Sequence, residues 1–540
     1  MKIKLLLTFL FLFLLNNLVA QAEDAWVYFK DKPSQNTFIA SPLTMLSQRA
    51  LDRRTRYHIV LDSKDVPAEA SYILQIKNAA GITVKAKSKW LNALHIQGTQ
   101  VDISKLLTLN FVSKVEFANK SLNLSGKNRK FQKEVQKTNK LDFTTDFNYG
   151  NAANQIQMLK GNVLHQNNFT GQGMQIAIID AGFPNVDKFA AFKRIRDNNQ
   201  ILGGYDFVNR NENFYTGNYH GMAVLSTIAG YLDNQFVGTA PDAKFYLFIS
   251  EDSVNETPLE ESLWVEAAEK TDSLGVDVIN TSLGYTTFDN PKYNYVYNDI
   301  DGKTTFISRG AEIAFSRGMI VVNSAGNEGN DPWHYISAPA DAVSVLSIGA
   351  VDATGIIANF SSYGPTADNR VKPDVCAQGA GVYIINPSGN IATSNGTSFS
   401  SPVLAGVIAC LWQAFPSKTN AEIIQFVKES AHLYPNFTAQ EGYGIPNFES
   451  VFTLMSNEET EAVLEVVAYP NPSENEIKFK FPNQITEMEL VVFNVLGKHI
   501  KSEKITKENP TTNISNLAQG LYLMQLKYGD KLKNFKIIKN

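Results

Sequence analysis

Three polar side chains stand out by type and by setting. Asp180 follows the apolar run Ile176-Ala-Ile-Ile179, and His220 opens the helical run His220-Gly-Met-Ala-Val-Leu-Ser-Thr-Ile-Ala229. Ser398 lies in Asn395-Gly-Thr-Ser-Phe-Ser-Ser-Pro402, a loop that leads into a helix. A hydroxyl is a poor nucleophile at neutral pH and needs an imidazole to take its proton. The imidazole in turn needs a buried carboxylate to fix its tautomer and steady the imidazolium. An aspartate, a histidine and a serine at such element ends are the groups that acyl transfer through a serine nucleophile would need. Gly396 removes side-chain bulk where a substrate would approach Ser398. A helix N-terminus at Ser398 aims free N–H groups at a developing oxyanion. Pro402 has no N–H to offer the Ser398 carbonyl, which predicts a local helix defect.

The elements around these residues alternate. Strand candidates are Gln175 to Ile179, Lys244 to Phe248, Val276 to Asn280, Met319 to Asn323 and Val343 to Ile348. Helical patterns cover Leu259 to Ser273, Gly310 to Arg317 and Pro402 to Ala414. Such alternation predicts an α/β fold, a mostly parallel sheet with helices on both faces, with its chemistry beyond the carboxyl ends of the strands. Before it, residues 23–125 read as a small α+β module with strands at Trp26 to Phe29, around Leu94 and Ile96, and at Val112 to Phe117. Its helices are Ala70 to Ala80 and Val101 to Leu107. Residues 126–148 form a basic linker, 149–455 the central domain, and 456–466 a polar linker starting at Ser456 to Glu461. Residues 467–540 read as a small all-β sandwich, with strands at Ile477 to Phe481, Glu489 to Phe493 and Leu521 to Leu526 between turns.

Asp180-Ala-Gly182, His220-Gly221 and Gly396-Thr-Ser-Phe-Ser-Ser-Pro402 together resemble the three signature blocks of the subtilisin family of serine proteases. The resemblance covers roughly residues 150 to 450 and implies a seven-stranded parallel core and serine endopeptidase activity on proteins or peptides. It makes Ser398 the nucleophile, His220 the proton carrier and Asp180 its orienting carboxylate. In Ser324-Ala-Gly-Asn-Glu-Gly329, Asn327 alone would read as a turn residue; the resemblance makes it an oxyanion donor. Val278-Ile-Asn-Thr-Ser-Leu-Gly284 resembles the family's substrate-pairing segment, so Ser282, Leu283 and Gly284 are expected to bind substrate through their main chain. His220-Gly-Met-Ala223 stands where the family usually has His-Gly-Thr-His, and Ser398-Phe-Ser-Ser-Pro402 where it has Ser-Met-Ala-Ser-Pro. Neither change touches a proton-transfer group. Many relatives carry a calcium loop near Leu232 to Gly238, but here only Asp233 and Asn234 offer clear side-chain oxygens. Calcium takes six to eight, so calcium stays open but unassigned, as does Asp187 as a contributor, and no other metal or cofactor is expected.

The flanks resemble other pieces of a secreted zymogen. Residues 23–125 occupy the position of the family's propeptide, which acts as inhibitor and folding chaperone. The blocks Tyr469-Pro-Asn-Pro-Ser473, Val491-Val-Phe-Asn-Val-Leu-Gly497, Leu517-Ala-Gln-Gly-Leu-Tyr522 and Lys536-Ile-Ile-Lys-Asn540 resemble the C-terminal sorting domain of the type IX secretion system. That implies partnership with the secretion machinery and delivery through the periplasm to the exterior or the cell surface. A basic start, the apolar Leu5 to Leu15 and Ala20-Gln21-Ala22 read as a cleaved signal over 1–22, too short to span a bilayer. No transmembrane segment is expected in the mature chain.

A formal net charge of −4 gives the 540-residue chain no global reason to bind nucleic acid. Two cysteines, Cys376 and Cys410, exclude a disulfide-stapled scaffold and a four-cysteine zinc site, while leaving one disulfide or two buried thiols open. The six histidines other than His220 lack motif context and read as surface or packing residues. Two rival functions share these residues: a catalytically degenerate adhesion module, which intact catalytic groups disfavour, and a triad esterase, which the peptide-pairing segment disfavours.

Overall fold

The computed structural model describes residues 22–123, 147–463, 466–481, 485–528 and 531–540. The proposed signal peptide lies almost wholly outside these residues, as does all but the end of the basic linker. The described chain separates into two units, one reaching Val451 and one beginning at Phe452.

The first unit opens with a βαββαβ module: β1 (Ala22–Phe29), α1 (Gln48–Arg56), α2 (Ala70–Lys77), β2 (Ile82–Ser88), β3 (Ala93–Thr99), α3 (Gln100–Lys105) and β4 (Val112–Phe117). Its strands form an antiparallel sheet in the order β2-β3-β1-β4. Alternation along β1 assigns its two faces. Ala25, Val27 and Phe29 pack with Ile76, Ile103 and Leu106 of the module's own helical layer. Trp26 and Tyr28 enter the core of the domain that follows, where Trp26 stacks on Phe306 at 4.9 Å and donates its indole N–H to Ser262 Oγ at 2.8 Å. Burying each such aromatic contributes about 1.5–3 kcal/mol.

The central domain carries β5 (Gln175–Asp180), β6 (Ile201–Asp206), α4 (His220–Ala229), β7 (Lys244–Ile249), α5 (Pro258–Leu274), β8 (Val278–Thr281), α6 (Phe306–Ser316), β9 (Ile320–Ser324), β10 (Leu346–Val351), β11 (Val375–Gln378) and α7 (Thr397–Ala414). Its seven strands run parallel in the order β11-β10-β9-β8-β5-β7-β6. They are apolar on both faces because helices cover both. Ala177, Ile179, Ile279 and Val321 share a core with Trp264 and Ala268 of α5 and Ile307 of α6. The alternate residues turn to the face where α7 packs against β8, β9, β10 and α4. The long apolar helix α7 is the buried axis of this domain.

Several sequence expectations shift. Strand β6 and the hairpin Val382–Ile385 with Ile391–Ser394 were not anticipated, because Gly203-Gly204 breaks the apolar run and the hairpin strands are only four residues each. Cys376 and Cys410 are both free and buried, and burial pushes both thiols up. The polar stretch Ser456 to Glu461, expected as linker, lies within a helix, Phe448–Val463, because glutamate favours helix over coil.

The second unit is an all-β sandwich. One antiparallel sheet has the order β12 (Val467–Tyr469), β13 (Glu476–Lys480), β16 (Thr511–Asn513). The other is β15 (His499–Thr506), β14 (Glu487–Asn494), β17 (Gly520–Tyr528), β18 (Lys531–Lys539). Alternation in β14 sends Met488, Leu490 and Val492 inward to meet Ile477 and Phe479 of the other sheet and Met524 and Leu526 of its own.

Candidate active site

The three residues singled out by type sit at element boundaries on one end of the central sheet. Asp180 ends β5, His220 begins α4 and Ser398 stands in the first turn of α7. Reciprocal backbone bonds hold the segment before His220 against the end of β5, Phe183 N–H to Thr216 O at 2.8 Å and Asn218 N–H to Ala181 O at 2.9 Å. Gly221 explains its place beside His220: a Cβ there would lie 2.9 Å from the Asp180 Cβ and 2.6 Å from the Gly182 carbonyl. Any larger residue would push α4 off the strand that carries the carboxylate.

His220 Nδ1 and Asp180 Oδ1 are 2.8 Å apart. The same Oδ1 accepts from the Ala181 N–H at 2.7 Å, while Oδ2 is buried without a hydrogen-bond partner among the described residues. Asp180 is 2% exposed and the His220 side chain 32%, so the carboxylate is enclosed and the imidazole keeps one edge open. Burial alone would lower the His220 pKa; the Asp180 charge and hydrogen bond outweigh it, and the pKa lies above the usual value. Glu251 adds to this field. Its own carboxyl, which accepts the Tyr285 hydroxyl at 2.6 Å and the Ser250 hydroxyl at 2.8 Å, is pushed up to about 8 by burial.

Ser398 is near but differently engaged. The ring of Phe399, the next residue, lies 5.9 Å from the His220 ring. The Ser398 hydroxyl donates to the Ser282 carbonyl at 3.2 Å, and among the described residues it makes no hydrogen bond to His220. The expected relay is therefore formed in its Asp–His half, and its Ser–His half is open.

The helix defect expected at Pro402 does not appear, and a residue the sequence did not flag for this explains why. Helix α7 runs unbroken through Pro402, and the carbonyl of Ser398 accepts the Ser282 hydroxyl at 2.9 Å instead. Asn280 supports the same junction, donating to Ser282 Oγ at 3.1 Å and accepting from the Ser401 hydroxyl at 2.9 Å. A proline four residues after a candidate nucleophile was the available signal.

Asn327 is oriented by Thr397, whose N–H (2.8 Å) and hydroxyl (3.0 Å) both donate to its Oδ1. Among the described residues that leaves the Nδ2 donors unspent beside Gly396, whose φ of 145° and missing Cβ keep the approach to Ser398 open. Leu283 and Gly284 follow the end of β8, half-buried and exposed, with Asn323 Nδ2 donating to the Leu283 carbonyl at 3.2 Å. Asp233 and Asn234 are exposed and hydrogen-bond to each other. Among the described residues no group of three or more His, Cys, Asp or Glu side chains could hold a metal.

The fold and site define an α/β protein whose parallel sheet gathers polar groups at the carboxyl ends of its strands. Residues 171–445, just over half of the chain, match the family described as "Subtilase family". Residues 24–139 match "Peptidase S8 propeptide domain, Bacteroidota", and 467–540 match "Secretion system C-terminal sorting domain". Subtilisin NAT of Bacillus subtilis subsp. natto is 30% identical over 299 residues, covering 55% of this chain and 70% of the relative. The subtilisin of Bacillus pumilus is 30% identical over 299 residues, covering 55% of this chain and 96% of that protein. A crystal structure of MycP1 with its propeptide removed covers 55% of this chain and 96% of that one at 22% identity, with a TM-score of 0.44. The chain belongs to the subtilase family. It is a serine-type endopeptidase with a propeptide domain and a type IX sorting domain, secreted or displayed at the cell surface.

Proposed function

We propose that Ser398 attacks the scissile carbonyl of a peptide and forms an acyl-enzyme. His220 takes the hydroxyl proton and returns it to the leaving amine. Asp180 fixes the Nδ1–H tautomer of His220 and stabilises the imidazolium. The reading rests on one observation: the 2.8 Å His220–Asp180 contact lies beside a helix N-terminus that presents Ser398. The raised His220 pKa is the signature of a carboxylate that favours the protonated ring. A rotation about the Ser398 Cα–Cβ bond would exchange the Ser282 carbonyl for His220 as the hydroxyl's acceptor; catalytic hydrogen bonds often tighten only with substrate bound.

The oxyanion would be held by Asn327 Nδ2 and the Ser398 N–H, one of the first free amides of α7. Ser282, Leu283 and Gly284 would pair with the substrate backbone as an added strand. No step passes through a metal or cofactor. Before this chemistry, residues 1–22 would direct export to the periplasm, 23–125 would act as propeptide ahead of the 126–148 linker, and 467–540 would engage the type IX machinery.

The test compares casein hydrolysis and propeptide processing by the wild-type chain and by Ser398→Ala. Loss of both in the variant is expected, and equal proteolysis by the two would overturn the assignment. Hydrolysis of small esters alone by the wild type would replace it with an esterase.

A further inference from the structure

Besides the packing of its sheet on the central domain, the propeptide module touches the peptidase through an arm that lies away from the candidate catalytic end. Residues 30–68, between β1 and α2, form an arm that carries α1 to the amino ends of the central strands. There α1 meets Gly275 to Asp277, just before β8, and Arg317 to Gly318, just before β9. Asp277 and Ser282 bracket β8, so this surface and the substrate edge are separated by roughly 17 Å of strand.

Three arginines of α1 reach across. Arg53 and Arg54 are each 3% exposed and grip opposite oxygens of Asp272, at 2.6 and 2.9 Å. Arg54 also donates to Asp65 of the arm at 2.6 Å and to the Arg317 carbonyl at 2.8 Å. Arg53 donates to the Val276 and Arg317 carbonyls, and Arg49 to the Gly275 carbonyl and Asp277. Neither α5 nor α6 has a basic residue in its last turn. The arm's guanidinium groups thus receive the carbonyls that follow both helices and face the negative ends of both dipoles. Gly275, at φ 85°, permits the approach: a Cβ there would lie 2.8 Å from the Ala50 nitrogen. At the edge Tyr57 stacks on Trp412 with centroids 5.9 Å apart.

Asp272 is 0% exposed, and its cation partners, Arg53, Arg54 and the more distant Lys89, all belong to the propeptide module. A peptidase stripped of that module would lose every one of these cations and bare the carboxylate and the helix-end carbonyls to water, so release breaks several charge-assisted hydrogen bonds at once.

We propose that this basal surface is a second anchor for the propeptide, built to recognise the paired arginines of the 30–68 arm, and that it retains the propeptide after the chain between the two domains is cut. The anchor is separate from whatever occupies the substrate cleft. The proposal rests on the reading of residues 23–125 as a propeptide detached by cleavage.

Its test does not need catalysis. In a full-length Ser398→Ala chain, a recognition sequence for a site-specific protease is inserted between residues 126 and 141. The chain is cut, and dissociation of the N-terminal fragment from the peptidase is timed. The fragment is expected to stay bound, and Arg53→Ala with Arg54→Ala to speed its release at least tenfold. If that double variant does not fold, Arg49→Ala and Tyr57→Ala, which touch only the rim, are expected to speed release at least threefold. Release within twofold of the parent for whichever variants fold would overturn the anchor. Because the background is already inactive, that outcome leaves the endopeptidase reading untouched.

Discussion

The two ends of the central sheet solve opposite problems with the same strands and helices. At the amino ends, charges are fully buried and multiply bonded: Asp272 meets two guanidinium groups and is wholly enclosed. At the carboxyl ends, polar groups are left partly unspent. His220 keeps an open edge, Asp180 Oδ2 has no partner among the described residues, and the Nδ2 of Asn327 lies beside Gly396 at the approach to Ser398. Satisfied polar networks hold a structure rigid, whereas chemistry requires donors and acceptors that are positioned yet unoccupied. Substitutions at the first end should therefore cost stability and propeptide retention, and those at the second should cost turnover.

The largest effect is expected for Ser398→Ala, a loss on the order of 10⁶ in kcat on a peptide substrate, with the thermal midpoint little changed. Asp180→Asn should lower kcat on the order of 10⁴. It should also move the acidic limb of the pH–rate profile to lower pH: the aspartate holds the His220 pKa up, so its removal lets the ring stay neutral in more acid solution. A limb that moved upward would break the assignment of roles. Asn327→Ala should cost on the order of 10² to 10³ in kcat with KM nearly unchanged, read from steady-state kinetics.

At the opposite end, Asp272→Asn should destabilise the full-length chain by about 3–5 kcal/mol in denaturant unfolding, because it leaves buried guanidinium groups poorly paired. Processed enzyme freed of its propeptide should show no matching loss in kcat. Smallest is Ser282→Ala, which strands the Ser398 carbonyl above Pro402 and should cost about 1–3 kcal/mol of stability. Equal losses of turnover from Asp272→Asn and Asn327→Ala would erase the contrast between the two ends.

How much was legible follows the same division. The candidate site is written in short motifs, because a serine in a glycine-led first helical turn, a close-packed Gly221 and an asparagine loop each demand particular residues at fixed neighbours. Five of the seven central strands showed as apolar runs, since a sheet covered on both faces must be apolar throughout. The basal cluster could not be read. Gln48-Arg-Ala-Leu-Asp-Arg-Arg-Thr-Arg56 looks like a solvated helix, and it takes Asp272 and the Val276 and Arg317 carbonyls, all more than 200 residues on, to make Arg53 and Arg54 interior residues. The unbroken α7 was missed for the same reason: the group that receives the Ser398 carbonyl sits 116 residues earlier, on a different element. Sequence displays what a residue needs from its neighbours and hides what it obtains from afar.

The paired contacts between Ser282 and Ser398 carry one more consequence. Each hydroxyl donates to the other residue's carbonyl, which couples the loop after β8 to the first turn of α7. Warming that loosens this irregular segment beyond the strand would misplace Ser398 while the deeper layers stay intact. Heat inactivation should therefore run ahead of the loss of far-ultraviolet ellipticity, and the enzyme would fall silent before it melts.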